Sequence, residues 1–351
     1  MSDFCLLREA KKYVAHDWDP LADPTIRPKW LEEFRGQFAE TLKQAAVQYG
    51  RKGGKQVGAA QQQFDRALAA AIEAGRQANV MELYRLAAKS LRDNALADPY
   101  RHVTDREGRS ASQIYPAFVR KLRALPNQQK WLQTVQCFLA AGSFHPGAAP
   151  AIGRDQADFA AAVENVKARP WLVDHFDPLA SDLAAGPPSK WSKAVLFLAK
   201  AGADLVLGAM PLARELGLCG TKIVLAANES SGFADATADE AAVVVEQLAA
   251  DDDDLASLIA AGMIEVVSTG NDLPVLDLSA VSDELNEAAQ GAELVVLLGE
   301  GRAVQSNYEA AFTVDSLKLA ALIDPISAAR LAGAPLDCVC KYEPLPAAGA
   351  S

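Results

Sequence analysis

Histidine, cysteine and positive charge are all scarce in this chain. Its 351 residues include 4 histidines and 5 cysteines, and 34 basic residues stand against 45 acidic ones, a net charge of −11. That deficit excludes nucleic acid and anionic membrane as general partners, because phosphate backbones and acidic headgroups attract positive surfaces. Cys5, Cys137, Cys219, Cys338 and Cys340 are odd in number and scattered, so a disulfide framework is excluded and a reducing compartment expected. Cys338 and Cys340 fall on one face of a strand with no second cysteine or histidine cluster beside them, which predicts packed thiols rather than zinc ligands. His16, His102, His145 and His175 lack metal-ligand spacing and read as surface or capped residues. Long apolar runs are missing too. The most apolar window, Ala194 to Ala213, is broken by Lys200, Asp204 and Pro211, and the first residues hold no apolar run of signal-peptide length. A soluble, cytoplasmic protein without a membrane partner is expected. Two common signatures are lacking: no G-x-x-x-x-G-K-[ST] loop for a nucleoside triphosphate, and no G-x-S-x-G elbow for an acyl-transfer serine. Gly299-Glu-Gly301-Arg-Ala-Val304 begins like a dinucleotide fingerprint but carries Val where the third Gly belongs. The acidic run Asp251 to Asp254 reads as a solvated loop.

Half of the residues are hydrophobic, enough for a substantial core, and the two halves of the chain differ in rhythm. Residues 1–150 carry helical periodicity over Pro28–Tyr49, Gln61–Arg92, Gln113–Leu125 and Gln128–Ala141, with Gly50–Gln63 resembling a mobile connection. From about Lys193, short apolar runs alternate with helical stretches. The strands are expected at Ala194–Ala199, Lys222–Ala227, Met263–Ser268, Leu294–Leu298 and Leu336–Tyr342. The helices are expected at Ala203–Leu218, Ala238–Ala250, Leu278–Ala289 and Ser316–Leu331. This alternation predicts an α/β fold: a doubly wound, mainly parallel sheet with helices on both faces over residues 151–351, preceded by a helical accessory domain over 1–150. Ligands of such sheets bind beyond the carboxyl ends of the strands. The segments expected there are Ala199–Gly202, Asn228–Ser231, Ser268–Asp272, Gly299–Arg302 and Lys341–Glu343. They are polar, contain glycine and include the cations Lys200, Arg302 and Lys341, a rim suited to an anionic small molecule.

The stretch Leu297 to Glu343, LLGEGRAVQSNYEAAFTVDSLKLAALIDPISAARLAGAPLDCVCKYE, carries a more specific pattern. Gly299-Glu-Gly301-Arg302, Asn307, Ser316-Leu-Lys318-Leu319 and Lys341-Tyr342 follow one another in it. Upstream lie Gly202-Ala-Asp-Leu-Val-Leu-Gly208, Pro211-Leu-Ala-Arg-Glu-Leu216, Gly220 to Asn228, Gly270-Asn-Asp-Leu-Pro274 and Asp277-Leu-Ser279, with Arg169-Pro-Trp171 and Asp98-Pro-Tyr100 before them. In this order the blocks resemble the damage-control phosphatases, the ARMT1-like or domain-of-unknown-function-89 family. The nearest branch is the one found alone in plants and fused to pantothenate-kinase-like domains in animals. The resemblance implies an α/β domain with a helical accessory domain. It also implies hydrolysis of small phosphate esters, such as phosphopantetheine-type or sugar phosphates, with a divalent Mg²⁺ or Mn²⁺ between protein and phosphate.

The chain departs from that family where the metal belongs. The family's Phe-x-Asp-Asn-x-Gly motif stands here as Phe197-Leu-Ala199-Lys200-Ala-Gly202, and of its Asn-Asp pair, Ala234-Asp235, only the Asp remains. The Gly-Asn-x-Phe-Asp-x-Gly pattern is replaced by Gly142-Ser-Phe-His-Pro-Gly147, and the Glu before the glycine-rich loop is Leu298. An ammonium 4 Å from a dication at an effective dielectric near 20 costs about 8 kcal/mol, twice the value for unit charges. No cofactor is therefore expected, with Ala199 and Lys200 in place of the ligands and Asp235 as the residual catalytic candidate. Lys200 is expected to stand in for the cation, pairing with Asp235 or holding an anion. Lys200, Gly202, Asn228, Gly301, Arg302, Asn307 and Lys341 are the expected anion-binding set. The expected function is a non-catalytic relative that binds a phosphorylated metabolite or serves as a structural or protein-interaction module in a larger assembly. The alternative is an active metal-dependent phosphatase drawing oxygen ligands from Asp235, Asp272 or Asp204.

Overall fold

The structure, a computed structural model, describes residues 1–15, 24–73, 79–142, 163, 166, 168–184 and 187–345. The Gly142–Gly147 pattern, His16 and His145 lie wholly or largely outside those residues. Strands β1 (Val173–Asp174), β2 (Lys193–Phe197), β3 (Lys222–Ala227), β4 (Ile264–Ser268), β5 (Leu294–Leu298), β6 (Asp315–Ala321) and β7 (Cys338–Glu343) form one sheet. Their order is β1-β7-β6-β5-β2-β3-β4. Every neighbouring pair is parallel except β6 and β7. The central strands alternate between two apolar cores. Ala194, Leu196, Leu294 and Val296 face one; Val195, Phe197, Val295 and Leu297 face the other. Both faces are thus covered, which is why these strands read as unbroken apolar runs.

Helices α1 (Arg27–Glu73), α2 (Val80–Asp93), α3 (Arg101–Ala124) and α4 (Asn127–Gly142) precede the sheet. The packing groups them differently from a division at residue 150. Helices α1 and α2 build their own core from Trp30, Phe34, Phe38, Phe64 and Leu83, which also takes in Phe233 and Ile326. Helices α3 and α4 instead pack on the sheet, through Tyr115, Leu122, Trp131 and Phe138. The first residues belong to the sheet as well: Phe4 is buried 5.3 Å, ring to ring, from Phe197. Gly50–Gln63 is helical rather than a loose connection, and the break is confined to Gly50, whose φ of 59° leaves the helical region. After β1 come α5 (Phe176–Leu183), α6 (Met210–Leu218), α7 (Ala238–Ala249), α8 (Asp253–Ala260), α9 (Asp283–Ala288) and α10 (Pro325–Arg330).

Three further expectations are corrected. Ser316–Leu331 is not one helix: it contains most of β6, inserted between β5 and β7, and then α10. Asp324 caps α10 by accepting the Ile326 N–H, with Pro325 in the first turn. Helix α9 is shorter than Leu278–Ala289 because Ser282, accepting the Leu285 N–H, caps it. The acidic run is no solvated loop. Asp252 is buried, caps α8, and accepts Arg214 Nε at 2.6 Å and the Tyr115 hydroxyl at 3.2 Å. Arg214 also reaches Asp254, and Lys130 of α4 reaches Glu215. The network ties α3 and α4 to α6 and α8. Among the described residues all five cysteines are free, and no helix is long and apolar enough to cross a membrane.

Candidate functional site

The chain runs from β2 outward through β3 and β4, then returns to the opposite side of β2 as β5. The carboxyl ends of β2 and β5 therefore diverge at a topological switch point, where a crevice must open. A cavity of about 680 Å³ lies there, lined by Ala199 and Lys200 after β2 and by Gly299 to Arg302 after β5. Both connections continue into π-helical turns, Asp204–Ala209 and Gly301–Ser306, a form found often at functional sites. Close packing explains the glycines of the second connection. Gly299 has φ 82°, and a Cβ there would lie 2.6 Å from the Ala199 Cβ. A Cβ on Gly301 would lie 2.1 Å from the Pro274 carbonyl oxygen.

Beneath this crevice sits a charged cluster. Lys200 and Asp235 face each other across a short antiparallel bridge. Lys200 Nζ donates to Asp235 Oδ1 at 3.1 Å and to the Phe233 carbonyl at 2.7 Å. Arg302 Nη1 donates to the same Oδ1 at 3.2 Å, and Nη2 to Asn228 Oδ1 at 2.9 Å. The Asn228 amide in turn donates to the Leu273 carbonyl. Asp235 and Arg302 are buried, and Asp235 Oδ2 has no hydrogen-bond partner among the described residues. Asp204, buried at the cavity edge, accepts the Lys200 backbone N–H at 2.9 Å. Burial pushes the Asp204 carboxyl up to about 6 and pushes the Lys200 amine down, Asp235 opposing the latter shift. Lys200 and Arg302 bring two formal positive charges to the cluster, and Asp235 and Asp204 two formal negative ones. Among the described residues, no group of three or more His, Cys, Asp or Glu side chains could hold a metal ion.

Of the remaining expected site residues, Gly301 lines the cavity, Asn228 supports Arg302 from below, and Gly202 packs against α3 near Glu107. Asn307 is occupied structurally: its amide donates to the Leu276 and Arg302 carbonyls and its oxygen accepts the Tyr13 hydroxyl. Lys341 is elsewhere. Because β7 runs antiparallel, its carboxyl end pairs with the start of β6, and Lys341 Nζ donates to the Tyr308 carbonyl at 2.8 Å beside Glu343. The rim at this edge is supplied by Pro335, before β7, in its place. Asp272 pairs with Arg92 outside the cavity. His102 meets Gln48, and His175 meets the Tyr342 carbonyl.

Two parts of the cavity were not foreseen from sequence. Glu300 and Asp324 form an acidic wall. Glu300 accepts the Ile323 and Asp324 N–H groups, while Asp324 accepts from Ile326, Ser327 and Gln305. Burial, reinforced for Glu300 by Asp324, pushes the two carboxyls up to about 8 and about 6 respectively. On the opposite wall α1 and α2 bring the rings of Phe34, Phe38 and Tyr84, with Glu33, Gln37, Glu40 and Thr41 of α1 among them. The i,i+4 spacing of Phe34 and Phe38 was a visible signal, but such a stripe equally suits helix packing.

The sequence matches the damage-control phosphatase ARMT1-like domain over residues 31–338. A damage-control phosphatase of Arabidopsis thaliana is 34% identical over 264 residues, 74% of this chain and 71% of that protein. Pantothenate kinase 2 of the same plant is 31% identical over 97% of this chain, and the 4'-phosphopantetheine phosphatase of Mus musculus is 28% identical over 70% of it. The matches span 42% and 36% of those two longer proteins. The fold recurs in a crystal structure of a DUF89 family protein from Pyrococcus horikoshii, with a TM-score of 0.67 over 94% of this chain and 99% of that one, at 14% identity. With the matched domain spanning most of the sequence and the shared sheet architecture beneath it, the chain belongs to the damage-control phosphatase ARMT1-like family.

Proposed function

We propose that this chain binds a phosphorylated small molecule through Lys200 and Arg302 and does not hydrolyse it. One observation carries the reading: the Lys200 ammonium sits 3.1 Å from Asp235 Oδ1, and Arg302 reaches the same oxygen. A hard dication takes oxygen ligands, chiefly carboxylates. The donor set here supplies Asp235, already engaged by two cations, and Asp204, which accepts the Lys200 N–H, with Ala199 and an ammonium where further oxygen ligands would stand, so the residues described do not suit Mg²⁺ or Mn²⁺. Repulsion from Lys200 alone would cost a dication about 8 kcal/mol at 4 Å and an effective dielectric near 20. An ester dianion finds the reverse situation. It meets two cations, the Lys200 ammonium and a buried Arg302 guanidinium whose planar donors suit phosphate. The lysine performs charge neutralisation but cannot lower the pKa of a bound water as a metal does.

A second reading is favoured by the unpartnered Asp235 Oδ2 and by Asp204 at the cavity edge. In it the chain is an active metal-dependent phosphatase with a rearranged ligand set. The test is calorimetry of inorganic phosphate in the presence of EDTA, alongside hydrolysis of p-nitrophenyl phosphate with Mg²⁺, Mn²⁺, Co²⁺ or Ni²⁺. Phosphate binding that survives EDTA and is lost in Lys200→Met, without turnover, is the expected result. Metal-dependent turnover abolished by Asp235→Ala overturns the binding-only reading.

A further inference from the structure

The cavity is far larger than a phosphate group, and its surfaces are sorted by chemistry. Lys200 and Arg302 lie at one side. Phe34, Phe38, Tyr84, Tyr100, Phe138 and Phe233 supply an aromatic lining. The carboxyls of Glu33, Glu300 and Asp324 also line it. Glu300 and Asp324 are engaged by backbone and side-chain donors, but Glu33 forms no hydrogen bond or ion pair among the described residues. From this arrangement we infer the class of ligand: a phosphate monoester whose organic part is a long apolar chain or ring system bearing no second negative charge. The inference rests on the proposed anion site and adds what the rest of the cavity selects.

The physical argument has three parts. First, a cavity of about 680 Å³ is the size that encloses a drug-sized ligand, so an ester filling it buries an extended body. Second, that body meets phenyl rings. A sugar would pair only those hydroxyls that reach Glu33, Gln37, Glu40 or Thr41 and leave the rest against the rings, and unpaired buried polar groups are costly. The Tyr84 hydroxyl has no hydrogen-bond partner among the described residues. Burial and the nearby carboxyls of Asp324, Glu300 and Asp235 push its pKa up, so it stays protonated and can donate one bond to an otherwise apolar ligand. Third, a second phosphate or a carboxylate on the ligand would face Glu33 and Asp324, where like charges repel, while Glu300 keeps its proton up to about pH 8.

The test is calorimetry with inorganic phosphate, n-alkyl phosphates from ethyl to octyl, glucose 6-phosphate, and hexane-1,6-diyl bisphosphate. Each added methylene is expected to tighten binding about fourfold, the factor for burying one CH₂. Glucose 6-phosphate is expected to bind no more tightly than ethyl phosphate. The bisphosphate is expected to bind at least tenfold more weakly than hexyl phosphate, with Glu33→Gln narrowing that gap. Gly36 of α1 lines the cavity, and a Cβ there meets nothing within 4 Å. The Cβ of Gly36→Leu therefore enters open space, and the octyl ester is expected to lose at least tenfold in that variant. Thermal unfolding checks that the variant folds. Phosphate binding with affinity flat along the alkyl series, or a bisphosphate that binds as tightly as hexyl phosphate, overturns the inference and leaves the anion site standing. Failure of inorganic phosphate and every ester to bind refutes the anion site itself and this inference with it.

Discussion

If Lys200 occupies the place of an ion, exchanging it for oxygen ligands should bring the ion in. The double substitution Ala199→Asp with Lys200→Asn makes that exchange. Ala199 lines the cavity, so a carboxylate at this position has space to extend, and the neutral amide that replaces the Lys200 ammonium no longer forms an ion pair with Asp235. Removing the ammonium relieves about 8 kcal/mol of repulsion toward a dication, and the new carboxylate supplies an attraction of about the same size, at 4 Å and an effective dielectric near 20. Desolvation of ion and ligands consumes much of this sum. Even one quarter of it, about 4 kcal/mol, corresponds to about a thousandfold in affinity. The assay is Mn²⁺ calorimetry on the unmodified chain and the double variant, paired with thermal unfolding. Without metal, the variant gathers the introduced carboxylate, Asp204 and Asp235 around Arg302 and should melt at a lower temperature. Saturating Mn²⁺ should recover several degrees, because a ligand at a hundred times its Kd stabilises by about 2.7 kcal/mol. A folded double variant that binds no Mn²⁺ refutes the claim that ligand loss is the defect. Sub-millimolar Mn²⁺ binding by the unmodified chain, abolished by Asp235→Ala, refutes the claim that Lys200 replaces the ion.

Three other perturbations probe the surroundings of the cavity. Glu300 holds its proton up to about pH 8 when folded, against an ordinary value of 4.5, so between those values the folded chain binds more protons than the unfolded one. Its contribution is therefore full at low pH and lost as pH rises through that window. The urea midpoint should fall less between pH 5 and 7.5 in Glu300→Gln than in the unmodified chain; parallel slopes would show the carboxyl is not perturbed. Arg214→Met strips Asp252, Asp254 and Glu215 of their shared cation and should cost about 3–5 kcal/mol in urea unfolding; a loss below 1 kcal/mol would mean that water or other cations reach the acids. Gly301→Ala drives a Cβ against the Pro274 carbonyl and should cost about 1–3 kcal/mol, with weakened phosphate binding as Arg302 shifts; unaltered binding would separate the loop from the anion site.

What could be read from sequence followed burial. Strands β2, β3 and β5 are covered on both faces, so their runs of Val, Leu, Ile and Ala announce them without knowledge of their partners. Strand β6 did not, because Ser-Leu-Lys-Leu-Ala-Ala is built from good helix formers and contains a charge. Its Lys318 is buried, with the ammonium answered by the Tyr308 and Ala310 carbonyls and by Glu343. Glu343 is in reach only once β7 lies alongside, and the two carbonyls belong to the turn before β6, so tertiary pairing overrides local preference. Strand direction is hidden in the same way: nothing in Cys-Val-Cys-Lys-Tyr-Glu says that β7 runs against its neighbour, and that direction is what moves Lys341 away from the cavity. In the acidic run, Asp252 and Asp254 are set apart from their neighbours by having Arg214 within reach, and that arginine lies on another helix.

The site divides by the same logic. Its charged half was legible because a parallel sheet fixes where the ends of β2 and β5 must lie, and Lys200 and Arg302 follow those ends directly. The aromatic half comes from a helix far away in sequence, and Phe34 or Phe38 on a helix face looks like core until the sheet beneath it is known. Under the proposed function this split has a consequence. In that reading, Lys200 and Arg302, placed after β2 and β5, would hold the phosphate, whereas the residues brought by α1 and α2 would select the ester. Exchanging the wall residues Phe34, Phe38 and Tyr84 should therefore change ligand preference while leaving the pairing of Lys200 with Asp235 in place.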